Sequence, residues 1–160
     1  TNRTTEDGWQ NVLTLARELS LKDGIVCQNP VRELSSWWNE EVSFEGQYTG
    51  NTDICYELNL KNTEKKWEVL IAGGLKLSWS PEEYVFRMEF TDGKLGCGRG
   101  LRAREIKACK DIRIVVDASC VEVFMNGGKD VFSTRFYPEK DQYTVKASGE
   151  GLTGSYRYRV

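Results

Sequence analysis

Carboxylates are the side chains left to do acid–base work near neutrality, because none of the 160 residues is His. That absence removes Ser-His-Asp and Cys-His nucleophile activation and almost all common zinc chemistry. Glycosidic bond cleavage is the carboxylate reaction to look for. It needs two such groups, about 5–5.5 Å apart for retention, one of them with a raised pKa. Most Asp and Glu here alternate with apolar residues or sit in turns, as charges on a solvated sheet face do. Asp117 and Glu122 stand out because they flank a tight connection, Ala118-Ser119, between two strongly apolar runs. Even for this pair, a turn-stabilising Asp and an outward-facing strand Glu are the expected roles.

The stretch Gly96-Cys97-Gly98-Arg99-Gly100 lacks the Lys-Ser/Thr ending and the following helix of a phosphate loop, so it reads as a long flexible connection. No metal and no cofactor is expected: the cysteines lie far apart and no DxDxDG spacing occurs. Aromatic residues are the second kind of candidate. Trp37-Trp38, with Trp79 and Tyr84 around a turn, have the flat faces that stack on a sugar ring. Packing is the favoured role, since adjacent Trp residues point in different directions and one is usually buried. Trp9 reads as an anchor where the chain meets whatever precedes it. Trp9, Trp37, Trp38 and Trp79 are therefore the candidate carbohydrate or interface contacts.

Strands must position these residues. Residues 1–8 read as an interdomain linker and residues 9–160 as one module. From Trp9 onward the pattern has period two, with Leu13, Leu15, Leu19, Leu21, Ile25 and Cys27 alternating with polar residues and Asp23-Gly24 as a hairpin turn. Asn29-Pro30 stops the strand, because Pro gives no donor to a ladder. Val31, Leu34 and Trp38 at helical spacing predict one short helix within 31–38. Strand patterns then run to the end: EEVSFEGQY, DICYELNLK with Ile54, Tyr56, Leu58 and Leu60 on one face, WEVLIA, GLKLSWS, EYVFRMEF, DIRIVVDA, CVEVFMN, DVFSTRFY, YTVKAS and LTGSYRYRV. Turn residues separate them at Gly73-Gly74, Ser80-Pro81, Asp92-Gly93, Gly96 to Gly100, Asn126 to Gly128 and Gly149 to Gly151. About a dozen short strands punctuated in this way predict an all-β fold, an antiparallel two-sheet β-sandwich. The closing RYRV sets Tyr156, Tyr158 and Val160 on one face and is expected to complete the domain at that end.

Bulk properties narrow the partners. A chain of this length buries roughly 68–70% of its unfolded surface, enough for one core. With 22 Lys+Arg against 24 Asp+Glu, a partner held by phosphate charge, whether nucleic acid or an anionic membrane, is not expected. No run of 18 apolar residues occurs. Five Cys, odd in number and without a CxxC pair, with Cys55 and Cys120 inside alternating apolar runs, predict free thiols and a reducing, cytoplasmic setting. The first residue is Thr, as expected of a segment from a longer chain.

Four segments carry a resemblance to a known family: GWQNVLTLARELSL (8–21), GIVCQNPVRELSS (24–36), GLKLSWSPEE (74–83) and LGCGRGLRAREIKACKDIRIVVDASCVEVFMNGGKDVFSTRFYPE (95–139). Together they resemble the C-terminal β-sandwich module of glycoside hydrolase family 32, which holds invertases, sucrose-6-phosphate hydrolases, inulinases and levanases. The most specific match is the D-x-S-x-VEVF-x-N-x-G pattern filled by Asp117, Ser119, Val121, Glu122, Val123, Phe124, Asn126 and Gly128. The resemblance implies a concanavalin A-like sandwich that follows a five-bladed propeller. In the family the propeller carries retaining chemistry in NDPNG-type, RDP and EC motifs. None of the three motifs occurs here, so no catalytic residue carries over. Ala16 departs from the family's LPREL pattern, which has Pro at that position.

Two functions follow as expectations. The first is a non-catalytic accessory module of a bacterial, cytoplasmic enzyme acting on sucrose, sucrose 6-phosphate or related β-fructosides. Its partner would be the propeller of the same parent chain, with a second copy and weakly bound carbohydrate as further candidates. The alternative is a free-standing lectin-like carbohydrate-binding protein. On the first reading, a face that meets the propeller leaves an apolar patch near Trp9, Leu13 and Leu15.

Overall fold

The computed structural model describes residues 11–51, 54–139 and 141–159, with Asn51 described through its backbone only. Trp9, the 1–8 linker and Val160 lie outside the described residues. The chain opens with a hairpin, β1 (Arg17–Lys22) and β2 (Ile25–Pro30), which forms a two-stranded sheet of its own. Asp23 and Gly24 both have positive φ, at 53° and 75°. This is the backbone that a two-residue turn needs to follow the right-handed twist of its strands. A 3₁₀ turn over Arg32–Ser36 follows, inside the predicted 31–38 window.

Ten further strands form one antiparallel sheet: β3 (Glu40–Asn51), β4 (Cys55–Lys61), β5 (Trp67–Ile71), β6 (Leu75–Ser80), β7 (Val85–Phe90), β8 (Arg102–Glu105), β9 (Asp111–Asp117), β10 (Cys120–Met125), β11 (Asp130–Arg135) and β12 (Thr144–Tyr158). The sheet curls over on itself through β12. Residues 145–149 of that strand pair with β5, and residues 153–158 pair with β4. β3 runs along the other edge of β12 for both stretches. One layer is therefore β11-β10-β9-β4 with the second half of β12, and the other is β8-β7-β6-β5 with its first half.

Strict alternation places the core between the layers. Trp67, Val69 and Ile71 on β5, Leu75, Leu77 and Trp79 on β6, and Phe86 and Met88 on β7 meet Tyr56, Leu58 and Leu60 on β4, with Ile112, Ile114, Val116, Val121, Val123 and Met125 from β9 and β10. An aromatic row, Phe44–Tyr48–Tyr156–Tyr56 with neighbouring ring centroids 4.9–5.2 Å apart, joins β3, β12 and β4. Stacked and tilted pairs at such spacings add to what area burial alone provides.

Four expectations need correction. Gly149 to Gly151 do not end a strand: they sit in a bulge between Ser148 and Thr153, and YTVKAS and LTGSYRYRV form the single 15-residue β12. β8 was not expected, because Arg-Ala-Arg-Glu carries no apolar alternation; it is an exposed edge paired only to β7. The stretch after Asp92 is not wholly irregular: Gly93–Gly96 make one helical turn, with the Asp92 carboxylate accepting from the Lys94 amide at 2.8 Å. Ile54 does not share the buried face of β4; it precedes the strand and is exposed.

Candidate functional site

The outer face of the β4-β9-β10 layer is where sequence expectation and structure part most clearly. An outer sheet face should be solvated, yet Glu57 and Glu122, both on it, are only 1% and 2% exposed. The chain before β3 covers them. Trp38, Val115 and Phe124 form a second small core there, with Leu15, Leu34, Cys55 and Val131 packed around it. Glu122 thus faces away from the main core but is covered by the N-terminal segment instead of solvated.

Burying a carboxylate is costly unless its oxygens are paired. Glu122 Oε1 accepts the backbone N–H of Leu15 at 2.6 Å, and Oε2 meets Arg17 Nη2 at 2.5 Å. Ser133 Oγ donates to Oε2 at 3.4 Å. The Arg17 guanidinium also lies 5.4 Å from the centre of the Phe124 ring, a cation–π distance. Glu57 is held in the same way. Its Oε2 accepts from Arg113 Nε at 2.7 Å and Trp38 Nε1 at 3.3 Å, while Oε1 accepts from Asn59 Nδ2 at 2.8 Å and Arg157 Nη1 at 3.3 Å. Arg157 Nη2 reaches on to the Ser35 carbonyl. Two carboxylate–arginine clusters therefore pin the N-terminal segment, one at Leu15–Arg17 and one at Ser35–Trp38.

This arrangement does not suit acid–base turnover. Every oxygen of Glu57 and Glu122 is engaged, so neither is positioned to pass a proton to a substrate. Asp117 lies exposed at the end of β9 and lines, with Glu122, Leu13, Leu15 and Cys120, a groove of about 280 Å³. Its registered neighbours are Cys55 and Cys120. Burial raises both thiols from 9.0 to about 11, so they stay protonated and unreactive at neutral pH. All five cysteines are free, and the described residues contain no group of three or more His, Cys, Asp or Glu suited to a metal. No helix among them is long and apolar enough to cross a membrane.

Of the other motif residues, Ser119 and Asn126 tie neighbouring strands and loops of the sandwich together, and Gly128 receives β2. The Ser119 carbonyl accepts from the Phe136 amide and from Arg135 Nε. Asn126 bridges the loop before β9, accepting from the Lys110 amide and donating to the Ala108 carbonyl. At Gly128, φ is +88° and a Cβ would run into the Gln28 carbonyl, so only glycine lets β2 approach this closely. Asn29 Nδ2 completes the contact by donating to the Gly127 carbonyl at 2.9 Å.

Among the described residues, the candidate tryptophans do not converge. Trp38 and Trp79 are buried, with the Trp79 indole donating to the Ile106 carbonyl at 2.9 Å. Trp37 is half-exposed, and the guanidinium of Arg159 covers its ring at 4.2 Å. A polar groove of about 530 Å³, lined by Ser43, Asn59, Lys61, Thr153 and Ser155 among others, lies beyond the covered part of the outer face. Sequence reasoning missed Arg17, Glu57, Arg113 and Arg157. Each occupies the polar phase of an alternating run, and nothing in that pattern separates a charge facing water from one facing a covering segment.

Residues 86–157 match the family profile described as glycosyl hydrolases family 32 C terminal. The chain is 33% identical over 164 residues to a sucrose-6-phosphate hydrolase of Vibrio alginolyticus, covering 92% of this chain and 33% of that protein. It is 29% identical over 154 residues to a raffinose invertase of Escherichia coli, covering 86% of this chain and 32% of the relative. Among solved structures, a β-fructofuranosidase of Bombyx mori superposes with a TM-score of 0.82 at 26% identity, over 100% of this chain and 35% of that one. The chain spans about a third of the length of the curated relatives it matches.

Proposed function

The chain carries the C-terminal domain of glycosyl hydrolases family 32, and on that premise we propose that it is an accessory module of a larger enzyme that hydrolyses sucrose, sucrose 6-phosphate or a related β-fructoside. The observation that carries this reading is the coverage: nearly the whole chain matches only a third of proteins named sucrose-6-phosphate hydrolase. The chemistry then belongs to the remaining two-thirds of the parent, and the sandwich contributes a rigid body that stabilises the catalytic domain. Two features support a structural role. The buried carboxylates are fully occupied in holding the N-terminal segment, and the VEVF-x-N motif residues tie strands and loops together. The five free thiols and the bacterial relatives support a parent in the bacterial cytoplasm.

The test is an assay of the isolated 160-residue chain on sucrose and sucrose 6-phosphate. Release of fructose at the buffer rate is expected, and turnover by a verified preparation overturns the proposal. Titration calorimetry against fructans and common glycans tests the lectin-like alternative. The burial of Trp38 and Trp79 argues against that alternative, and no binding tighter than millimolar, about −4 kcal/mol, is expected.

A further inference from the structure

The hairpin β1–β2 is held to the sandwich yet presents an apolar face to water. Its register sets Leu19, Leu21 and Val26 on one face: Leu21 pairs with Val26, and Leu19 lies two residues before Leu21 on the same strand. They are 69%, 71% and 57% exposed. A free two-stranded ribbon is marginal in water, but this one is fixed at several points. Arg17 joins it to Glu122 and, by a 2.9 Å hydrogen bond, braces β1 against Gln28 of β2. Asn29 bonds the Gly127 carbonyl, the Gly128 backbone abuts Gln28, and Cys27, on the opposite face from Leu21, is fully buried. Anchoring at the base of the ribbon, by Arg17 and Gln28 on this face and by Cys27 and Asn29 on the other, leaves three adjacent large apolar side chains uncovered toward its turn, a surface built to be covered.

We propose that the Leu19–Leu21–Val26 face is the seat of the parent's catalytic domain. This rests on the accessory-module reading. Three observations select that occupant. The relatives are about three times as long as this chain. The matching profile is a C-terminal one, so the additional length precedes the hairpin. The hairpin also follows Leu13 and Val12, themselves exposed, so the apolar surface continues toward the side from which the preceding domain enters. The catalytic domain would meet the ribbon with an apolar surface of its own, and the carboxylate–arginine latch would hand its position on to the sandwich as one rigid unit.

Hydrogen exchange decides it. The complete reading frame containing these 160 codons is expressed beside the 160-residue chain, and exchange is followed in peptides covering residues 17–30. In the longer protein these amides should exchange at least about tenfold more slowly. The variant Leu19→Ser/Leu21→Ser/Val26→Ser should lose that slowing while peptides from β9 and β10 keep theirs. Equal exchange in the two wild-type proteins, a comparison that needs no variant, overturns the proposal and leaves the module reading intact. A reading frame without a preceding catalytic domain overturns the module reading itself. Protection of 17–30 in the 160-residue chain that disappears on dilution assigns the face to a second copy and also overturns the proposal.

Discussion

Arg17 and Glu122, 105 residues apart in the chain, meet as an ion pair at 2.5 Å beneath the segment that leads into the sandwich. The pair has little access to water, so its value depends on both members being present. Replacing Arg17 by Met strands a buried carboxylate and is expected to cost about 3–5 kcal/mol in urea denaturation. Adding Glu122→Gln should return part of that loss, because the amide oxygen still accepts from Leu15 while no charge is left unpaired. Equal stability of the single and double variants would show that the pair is not coupled.

Two glycines give opposite expectations. Gly128→Ala forces a side chain onto a positive φ and into the Gln28 carbonyl, so a loss of roughly 1–3 kcal/mol is expected, with faster proteolysis in the hairpin. At Gly93 a Cβ meets open space, and Gly93→Ala should change stability by less than about 1 kcal/mol. Thermal denaturation of both variants checks the contrast.

The Tyr56 hydroxyl is buried in the core without a hydrogen-bond partner among the described residues, and burial pushes its pKa well above the usual value. Tyr56→Phe keeps the ring against Tyr156 and removes the unpaired oxygen. Stability should hold or rise by up to about 1–2 kcal/mol. A marked loss would mean that the oxygen is paired in solution.

Burial raises Cys55, Cys109 and Cys120 from 9.0 to about 11. A raised folded-state pKa means that the folded chain holds these protons longer than the unfolded one. The associated stability is complete below pH 9 and is lost as pH climbs from about 9 toward about 11. Denaturation midpoints should therefore decline across that window. Replacing the three by Ala or Ser should flatten the decline; an unchanged slope would assign it to other groups.

Much of the fold is legible in the sequence, and the reason is visible strand by strand. Where one side chain in two faces the core, as in Trp67–Ile71 or Leu75–Ser80, alternation marks the strand unambiguously. Asp23-Gly24 marks its turn because few residue pairs accept positive φ twice in succession. Arg102–Glu105 leaves no trace, since an exposed edge strand needs backbone partners and no apolar phase. The site was legible only in part. The VEVF-x-N run points at Glu122 and Asn126, but the role of Glu122 depends on Leu15 and Arg17, more than 100 residues away. Local patterns carry no record of such pairings. Leu13 and Leu15 illustrate this: they alternate like a strand, yet β1 begins only at Arg17, because the Leu15 amide is spent on a carboxylate instead of a ladder.

β12 imposes an order on biosynthesis. Residues 144–158 supply the pairing partners of β3, β4 and β5, so neither layer can close while they are still within the ribosome. Its outermost pair, Tyr158 with Glu40, joins points 118 residues apart (158 minus 40), and contacts that distant form slowly. Until they form, β4 and β5 each present an unpaired apolar edge to other nascent chains. Loss of residues 153–158 would leave the β4 edge open for good, so disruption of that half of β12 should lower solubility more than a change on an exposed edge such as β8.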